Sequence, residues 1–183
     1  QEIQLSNNSS KMYIANDNLG DRAASTVTLN CQLEKLRAQE KETPKGLFTL
    51  MTIPSFQSSG IVGSPRVPVM RKFMQIPYGA KLSVKVLSRT EKVYNLKDLG
   101  IVNPLIPTQK PRRKDKKEHP FVYNEKVYNT DAYFALPLVE VKKMGALRGY
   151  YLARVTVAPV AYNPVQGTIK VYNDIRLEVN MTG

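Results

Sequence analysis

The residues of this chain whose side chains are best suited to catalysis are one cysteine and one histidine. A catalytic cysteine needs a neighbouring base to take its proton, and His119 is the sole histidine, far along the chain from Cys31. Cys31 lies on the apolar side of the alternating run Leu-Asn-Cys-Gln-Leu, which is typical of a buried thiol. We therefore predict an inert cysteine, and we keep a Cys31–His119 pair brought together by folding as the alternative.

Other enzyme signatures are missing from the sequence. It has no Gly-Xaa-Ser-Xaa-Gly elbow, no His-Glu-Xaa-Xaa-His motif and no Walker loop. A single thiol makes neither an internal disulfide nor a cysteine metal cluster, and the carboxylates are scattered among basic residues in the manner of solvated ion pairs. The sequence therefore predicts a non-catalytic domain without catalytic residues, metal site or cofactor.

Positive charge is the strongest compositional bias, with 27 Lys and Arg against 15 Asp and Glu, a formal net charge of +12. Much of it is concentrated in a proline-framed run, which we call the basic loop (residues 107–120). Like charges repel and prolines prevent regular pairing, so we expect a mobile, solvated loop. Aromatic and helical features of nucleic-acid-binding modules do not accompany it, so we predict no nucleic-acid partner.

The same loop has a second interpretation as a processing site. Exposed, extended segments with several basic residues are where proteases nick folded domains. The candidate residues for such cleavage are Lys110, Arg112, Arg113, Lys114, Lys116 and Lys117. A merely solvated loop remains the alternative.

Short alternating runs with turns between them predict an all-β protein. The chain has the length of one ordinary domain, and we expect a single domain over residues 1–183. Residues 1–25 indicate a loosely ordered arm or an edge strand. Strands are predicted at residues 26–36, 47–53, 69–76 and 81–88, the last two as a hairpin that residues 90–94 extend, and one helical turn is predicted at residues 96–99. A helix remains the alternative for residues 26–36, because Leu29, Leu33 and Leu36 also fit a helical stripe.

The last forty residues carry the clearest strand pattern. Two alternating runs, residues 151–160 and 169–180, flank the turn Tyr-Asn-Pro-Val-Gln-Gly and predict a β-meander. The resulting fold class is an antiparallel β-sandwich, jelly-roll-like, with little or no helix.

No apolar run approaches the length of a membrane span, so we predict no membrane insertion. The residues from Gln1 onward show no basic and apolar leader pattern, and we expect any export signal to have been removed or to lie outside the given residues.

Several short motifs occur in an order that points to one family. They are Gly-Ile-Val-Gly-Ser-Pro-Arg-Val-Pro at residues 60–68, Ile-Pro-Tyr-Gly-Ala at 76–80, Pro-Phe-Val-Tyr-Asn at 120–124, Met-Gly-Ala-Leu-Arg-Gly at 144–149, Val-Ala-Pro-Val-Ala-Tyr-Asn-Pro-Val at 157–165 and Val-Tyr-Asn at 171–173. From about residue 48 to residue 179 the chain resembles the amino-terminal propeptide of gingipain-type cysteine proteases, peptidase family C25, and its lysine-specific members in particular.

This resemblance implies a function. It implies a non-catalytic prodomain that inhibits and helps to fold its own catalytic domain, which would be the protein partner. It also implies a precursor that is exported through the periplasm and is secreted or held at the bacterial outer membrane. We expect the isolated domain to be monomeric. An adhesin-like or carbohydrate-binding β-sandwich of a bacterial surface protein is the alternative.

The resemblance also places the inhibitory element in what we call the 123–135 loop. In the family, a loop between the Phe-Val-Tyr-Asn and Leu-Arg-Gly segments enters the active-site cleft, and the aromatic residues here offer anchors, with Tyr128 expected more on the surface than in the core. The residues assigned to protease binding are Lys126, Tyr128, Asn129, Thr130, Asp131 and Ala132.

One residue at the tip departs from the family pattern. Counted from both flanking motifs, the lysine that fills the pocket in lysine-specific members falls at Asp131, and an aspartate repels an acidic pocket. Three interpretations follow: the cognate protease accepts an acidic residue, Lys126 fills the pocket through a shifted loop, or Asp131 caps a turn by bonding its own backbone. The protease specificity and the activation cleavage site therefore stay open.

Overall fold

The alternating runs form the strands of a β-sandwich in the computed structural model, which describes residues 1–18, 24–115 and 119–183. Helical structure in these ranges is confined to one short helix, α1 (Glu125–Tyr128), and one 3-10 turn (Lys97–Leu99). The strands are β1 (Glu2–Gln4), β2 (Lys11–Asn18), β3 (Ala24–Gln32), β4 (Lys35–Thr43), β5 (Gly46–Thr52), β6 (Ser58–Ser59), β7 (Val67–Pro68), β8 (Met70–Ile76), β9 (Lys81–Asn95), β10 (Val139–Leu147), β11 (Tyr150–Val157), β12 (Val160–Asn163) and β13 (Thr168–Thr182).

Strand β13 organises the largest sheet. It pairs antiparallel with β9 along its length, with β12 near its start and with β3 toward its end, and β2 lies outside β3. Its residues alternate between buried and less buried positions, as expected for a strand with one face on the core. At the irregularity near its centre, the Asn173 side chain bonds both the N–H and the C=O of Leu33, which ties β13 to the corner between β3 and β4.

A second sheet has the order β10-β11-β8. Strands β10 and β11 form a hairpin whose two turn residues, Arg148 and Gly149, have φ of 51° and 84°. Positive φ at both central residues defines the tight turn that matches the twist of a hairpin, and glycine adopts it without strain. The Leu-Arg-Gly motif of the sequence is therefore a hairpin tip.

The third sheet, β1-β4-β5, completes the enclosure of the core. The buried residues of all three sheets form one hydrophobic cluster, and its largest fully buried side chains include Leu29, Leu33, Leu36, Met51, Ile53, Met70, Leu105, Tyr162, Ile169, Ile175, Leu177 and Met181. A cluster of this size supplies the main stabilising term of a domain that has no disulfide.

The predicted all-β antiparallel sandwich is confirmed, since every strand pair of the three sheets is antiparallel. The strands predicted at residues 47–53, 69–76 and 81–88 are present, and residues 90–94 continue β9 without interruption. The helical turn ends at Gly100, which has φ of 76°, as predicted. In the described ranges, no helix has the length and apolar character needed to cross a membrane.

Two predicted pairings are wrong. Strands β8 and β9 do not form a hairpin, because β8 pairs with β11 and β9 pairs with β13, so the turn at residues 77–80 carries the chain from one sheet to another. The C-terminal runs likewise do not form one meander, because β11 lies in the second sheet whereas β12 and β13 lie in the largest. Alternation reports which face of a strand is buried, and it carries no information about which strand lies beside it.

Of the two interpretations of residues 1–25, the edge strand is confirmed and the loosely ordered arm is wrong for residues 2–4 and 11–18, which form β1 and β2 at the edges of their sheets. Residues 19–23 lie outside the described ranges. Ile3 and Met12 are buried, so these strands add apolar contacts to the core despite their polar neighbours. The single strand predicted at residues 26–36 is divided into β3 and β4 by a corner at residues 33–34.

Cys31 is a buried, inert thiol, as predicted. It is 1% exposed, its Sγ lies 3.3 Å from Sδ of Met70, and burial raises its pKa to about 12. Burial is the sole cause of that shift, and the His119 side chain is exposed. The alternative of a Cys31–His119 pair is therefore wrong.

Candidate functional site

The segment that precedes the basic run is packed against the sandwich. Backbone hydrogen bonds join Thr49 N–H to Pro104 O (2.7 Å), Ile106 N–H to Thr49 O (2.8 Å) and Thr108 N–H to Ser64 O (2.8 Å). Pro107 is also buried, so the expectation that the mobile loop starts at residue 107 is wrong. The hydrogen bonds of residues 105–108 fix them although their prolines exclude a regular strand.

Gln109 closes the base of the basic run. Its side-chain amide donates to Val122 O (2.8 Å) and accepts from Val122 N–H (2.9 Å). This pair of hydrogen bonds clamps the two ends of the outer basic segment (residues 110–120). Lys110, Arg112, Arg113 and Lys114 have exposed side chains there, and Lys116 and Lys117 lie outside the described residues.

The 123–135 loop begins with a capped helical turn. Asn124 donates its N–H to Gly63 O (2.9 Å), and its side-chain oxygen accepts from Val127 N–H (3.3 Å), which satisfies one free donor at the start of α1. The turn is fixed from both directions, by the Gly63 carbonyl and by its own cap.

Tyr128 is the root of this loop. It is 5% exposed, its ring stacks on Tyr123 with the centroids 4.6 Å apart, and its edge meets Phe48. Its hydroxyl donates to Leu105 O at 2.5 Å. The expectation that Tyr128 is presented at the surface is wrong, because one turn of helix after Asn124 directs residue 128 back into the core.

The Leu105 peptide is held between two tyrosines. The Tyr128 hydroxyl donates to the carbonyl oxygen of Leu105, and the N–H of Leu105 donates to the Tyr162 hydroxyl (3.4 Å). Burial is the main cause that raises the pKa of Tyr128, and it raises the pKa of Tyr162 to about 12. Both phenols are therefore neutral at physiological pH. Leu105 and Tyr162 were not predicted from the sequence, although a signal existed, since the peptide groups of a Pro-Leu-Ile-Pro segment need hydrogen-bond partners.

The tip of the loop, residues 129–132, is exposed but internally bonded. Thr130 donates its hydroxyl to Lys126 O at 2.5 Å, and Ala132 donates its N–H to Thr130 O at 2.9 Å. The side chains of Lys126, Asn129, Thr130, Asp131 and Ala132 are all exposed. All the predicted protease-binding residues other than Tyr128 are therefore exposed.

Asp131 joins the tip to the turn after β12. Its Oδ1 accepts from Asn163 Nδ2 (2.9 Å) and from Gln166 Nε2 (3.0 Å). Asn163 is buried, and its own side-chain oxygen accepts from the N–H groups of Val165 and Gln166. The interpretation that Asp131 bonds its own backbone is therefore wrong. Its hydrogen-bond donors are two side-chain amides from another turn.

The loop ends as firmly as it begins. Phe134 and Tyr162 exchange two backbone hydrogen bonds of 2.7 and 2.9 Å, and the Tyr133 hydroxyl lies 3.1 Å from Thr168 Oγ1. Lys170 lies over the Tyr133 ring, 4.5 Å from its centroid. The exposed tip is therefore carried on two fixed ends. No group of acidic, cysteine or histidine residues in the described ranges could hold a metal ion.

Comparisons with known proteins agree on one family. The family model Propeptide_C25 matches residues 17–182. The Lys-gingipain of Porphyromonas gingivalis is 39% identical over 144 residues, which are 78% of this chain and 8% of that protein, so the chain spans less than a tenth of the length of this relative.

Two solved structures have the same fold. One, from work on the zymogenic latency of gingipain K from Porphyromonas gingivalis, matches with a TM-score of 0.87 at 31% identity and covers 100% of this chain and 98% of that one. The other is a complex of the pro- and mature domains of RgpB from the same organism, with a TM-score of 0.68, 21% identity and coverage of 89% and 81%.

Proposed function

The chain belongs to the C25 propeptide family, and on that premise we propose that it keeps a gingipain-like cysteine protease latent by placing the 123–135 loop in the active-site cleft of the catalytic domain. Family membership makes it a non-catalytic prodomain of a protease precursor. The adhesin-like alternative has no observation in its favour.

One observation carries the proposal: an exposed tip stands on a buried root. The root is the stacked Tyr123–Tyr128 pair with its Leu105 hydrogen bond, and the far end is the Phe134–Tyr162 bridge. A loop that is ordered before binding loses little conformational entropy when it enters a cleft, so more of its contact energy becomes affinity.

The tip also suggests a division of roles between its two charged residues. Asp131 already accepts two hydrogen bonds from Asn163 and Gln166, which supports a role in holding the tip in shape. Lys126 is the sole basic residue of the 123–135 sequence, and its side chain is exposed. We propose that residues 129–132 occlude the cleft and that Lys126 fills the specificity pocket if the cognate enzyme cleaves after lysine.

Single substitutions in the isolated chain, assayed for inhibition of the cognate catalytic domain, separate these roles. Lys126→Ala is expected to weaken inhibition at least about tenfold, on the order of 1.4 kcal/mol. Asp131→Asn keeps an oxygen acceptor and should weaken it only about twofold, whereas Asp131→Ala should cost more because both amide donors lose their partner.

A different pattern would reassign the pocket residue. A large loss with Asp131→Asn and none with Lys126→Ala would indicate a pocket that takes an acidic side chain. Tighter inhibition by Asp131→Lys would instead indicate an acidic pocket that the parent chain leaves unfilled. Lys143→Ala removes an exposed cation on β10, outside the 123–135 loop, and it serves as the matched control for Lys126→Ala.

We also propose that the outer basic segment is where staged activation begins. Exposure of its basic residues supports this, and the Gln109–Val122 clamp implies that a cut there leaves both flanks attached to the sandwich. Replacing all six basic residues of this segment by Gln should delay activation of the precursor by trypsin-like enzymes without changing inhibition. They are Lys110, Arg112, Arg113, Lys114, Lys116 and Lys117. Unchanged activation kinetics would show that the first cut lies elsewhere.

The same proposal gives the domain a place in the cell. A prodomain of this family travels with an exported bacterial precursor, and we propose that the precursor is secreted or held at the outer membrane. The prodomain also acts as a folding aid, and alone it is monomeric. Refolding of the denatured catalytic domain with and without this chain tests the folding role, since an equal yield of active enzyme would exclude it.

A further inference from the structure

A cavity of about 420 Å³ lies away from the 123–135 loop, between the segment that precedes β6 and the outer face of β8 and β11. Two arginines, Arg71 of β8 and Arg154 of β11, line it together with Ser55, Phe56, Gln57, Val69 and Phe73. This site takes no part in the proposed inhibitory function, and the inference drawn from it does not rest on that function.

The pairing register places the two guanidinium groups on one face. Arg71 pairs with Thr156 and Arg154 pairs with Phe73, so the two arginines are diagonal neighbours on adjacent strands. Diagonal partners on one face are within reach of long side chains. The 55–57 segment is hydrogen-bonded to β8 and to the residue that precedes it. The backbone oxygen of Gln57 accepts from the N–H of Val69 (3.0 Å), and its side-chain Oε1 accepts from Nη1 of Arg71 (3.3 Å).

The two cations are incompletely satisfied. The Nε atoms of Arg71 and Arg154 are both shielded from solvent, and neither has a hydrogen-bond partner among the residues that the structure describes. Burial and the positive charge of Arg154 lower the pKa of Arg71, and the carboxylate of Glu140 opposes them. Glu140 forms no ion pair with either arginine within the described ranges.

Such an arrangement is costly unless an anion joins it. A shielded donor without an acceptor destabilises the folded protein, and a charged group does so more strongly. An oxyanion between the two arginines would neutralise their repulsion and accept from planar donors whose geometry matches carboxylate and phosphate oxygens.

We propose that this cavity, the Arg71–Arg154 pocket, binds an oxyanion, a carboxylate or a phosphate ester, attached to an apolar or aromatic body. The two guanidinium groups hold the oxyanion, with the Ser55 hydroxyl and the Gln57 amide on the same wall. Phe56 and Phe73 supply the apolar wall, and Phe73 is 56% exposed without a ligand. The volume exceeds what a bare phosphate fills, and this excess is the room for the body of the ligand.

The test is calorimetric titration of the chain with phenyl phosphate, benzoate and inorganic phosphate at constant ionic strength. We expect saturable binding of phenyl phosphate or benzoate at one site, and the comparison between them tells phosphate from carboxylate ligands. Inorganic phosphate should bind at least about tenfold more weakly than phenyl phosphate. Equal affinity for those two would overturn the assignment of an apolar body.

Substitutions locate the site. Arg71→Gln and Arg154→Gln should each weaken phenyl phosphate binding at least tenfold, about 1.4 kcal/mol. Arg148 is the matched control, because it is an exposed arginine in the turn between β10 and β11 and does not line the cavity, and Arg148→Gln should change affinity less than about twofold. An equal loss with Arg148→Gln, or no saturable binding by the parent chain, would overturn the pocket.

The melting temperature keeps the test independent of folding. Arg154→Gln removes a like charge beside Arg71, so without ligand it should melt at the same temperature as the parent or higher. A clear decrease would show that Arg154 serves the fold, and the ligand site would then be rejected.

Discussion

The 123–135 loop and the outer basic segment are close in sequence, and both were expected as loops, yet they are held in opposite ways. The first begins and ends in buried aromatic residues and hydrogen bonds, with Tyr128 on Leu105 and Phe134 on Tyr162. The second is held at its base by the Gln109–Val122 clamp, and its described side chains from residue 110 to residue 115 are exposed. The difference shows that apolar rings with one polar group fix a loop, whereas like charges keep it in solvent.

The largest effect on stability is expected from replacing Tyr128, the buried residue that anchors the 123–135 loop. Tyr128→Ala removes a buried ring and its hydrogen bond, and should lower the free energy of unfolding by about 3–5 kcal/mol. Tyr128→Phe keeps the ring and should cost only about 1 kcal/mol.

Urea unfolding measures both changes, and the basic segment supplies the control. Arg113→Ala should change stability by less than about 0.5 kcal/mol, as is usual for an exposed position. A comparable loss in Arg113→Ala and Tyr128→Ala would erase the contrast between the two segments.

Limited trypsin digestion compares the segments within one molecule. Both contain bonds that trypsin can cut, after Lys126 in α1 and after Arg112, Arg113 and Lys114 in the outer basic segment. Cleavage needs local unfolding, so the outer basic segment should be cut at least about a hundredfold faster than the Lys126–Val127 bond. Mass spectrometry of early fragments identifies the first site. First cuts at Lys126, or within β9 between Lys81 and Arg89, would contradict this order.

The sequence predicted the elements of this protein better than their partners. Period-two alternation located β5, β8, β9 and β13, because burial of one face is written in each strand by itself. It did not show that β8 and β9 belong to different sheets, since pairing depends on residues distant in sequence, such as Tyr151 opposite Ile76.

The candidate site was predicted to a similar degree. The family resemblance located the 123–135 loop, and charge density located the basic run. Tyr128 was misjudged because a four-residue helix carries too little periodicity to reveal its inward face. In one interpretation Asp131 bonds its own backbone, whereas its donors are the side chains of Asn163 and Gln166. These two residues lie on a turn that no local sequence pattern connects to Asp131.

Alkaline pH should also lower the free energy of unfolding, because it acts on the buried thiol and phenols. Burial raises the pKa of Cys31 from 9.0 to about 12 and that of Tyr162 from 10.0 to about 12, and it also raises that of Tyr128. These groups stay neutral in the folded protein while the unfolded chain ionises, so their contribution is complete below pH 9 and is lost as the pH rises from 9 toward 12. Between the two pKa values each group contributes a slope of about 1.4 kcal/mol per pH unit.

Denaturant unfolding between pH 7 and 11 measures this slope. Tyr162→Phe should make it shallower by the contribution of one group, and Tyr150→Phe, a change at an exposed tyrosine, should leave it unaltered. An equal slope in the parent and in Tyr162→Phe would show that the Tyr162 phenol does not contribute.

The inhibition constants of two altered chains against the cognate catalytic domain test directly whether the 123–135 loop confers latency. In one chain, residues 129–132 are replaced by four glycines, and in the other, residues 110–118 are replaced by a Gly-Ser linker of equal length. Both should fold, since the changes leave the buried root and the Gln109–Val122 clamp in place. We expect at least about tenfold weaker inhibition by the first chain and unchanged inhibition by the second. Unchanged inhibition by the first chain, with its fold intact, would contradict the assignment of the 123–135 loop as the element that confers latency.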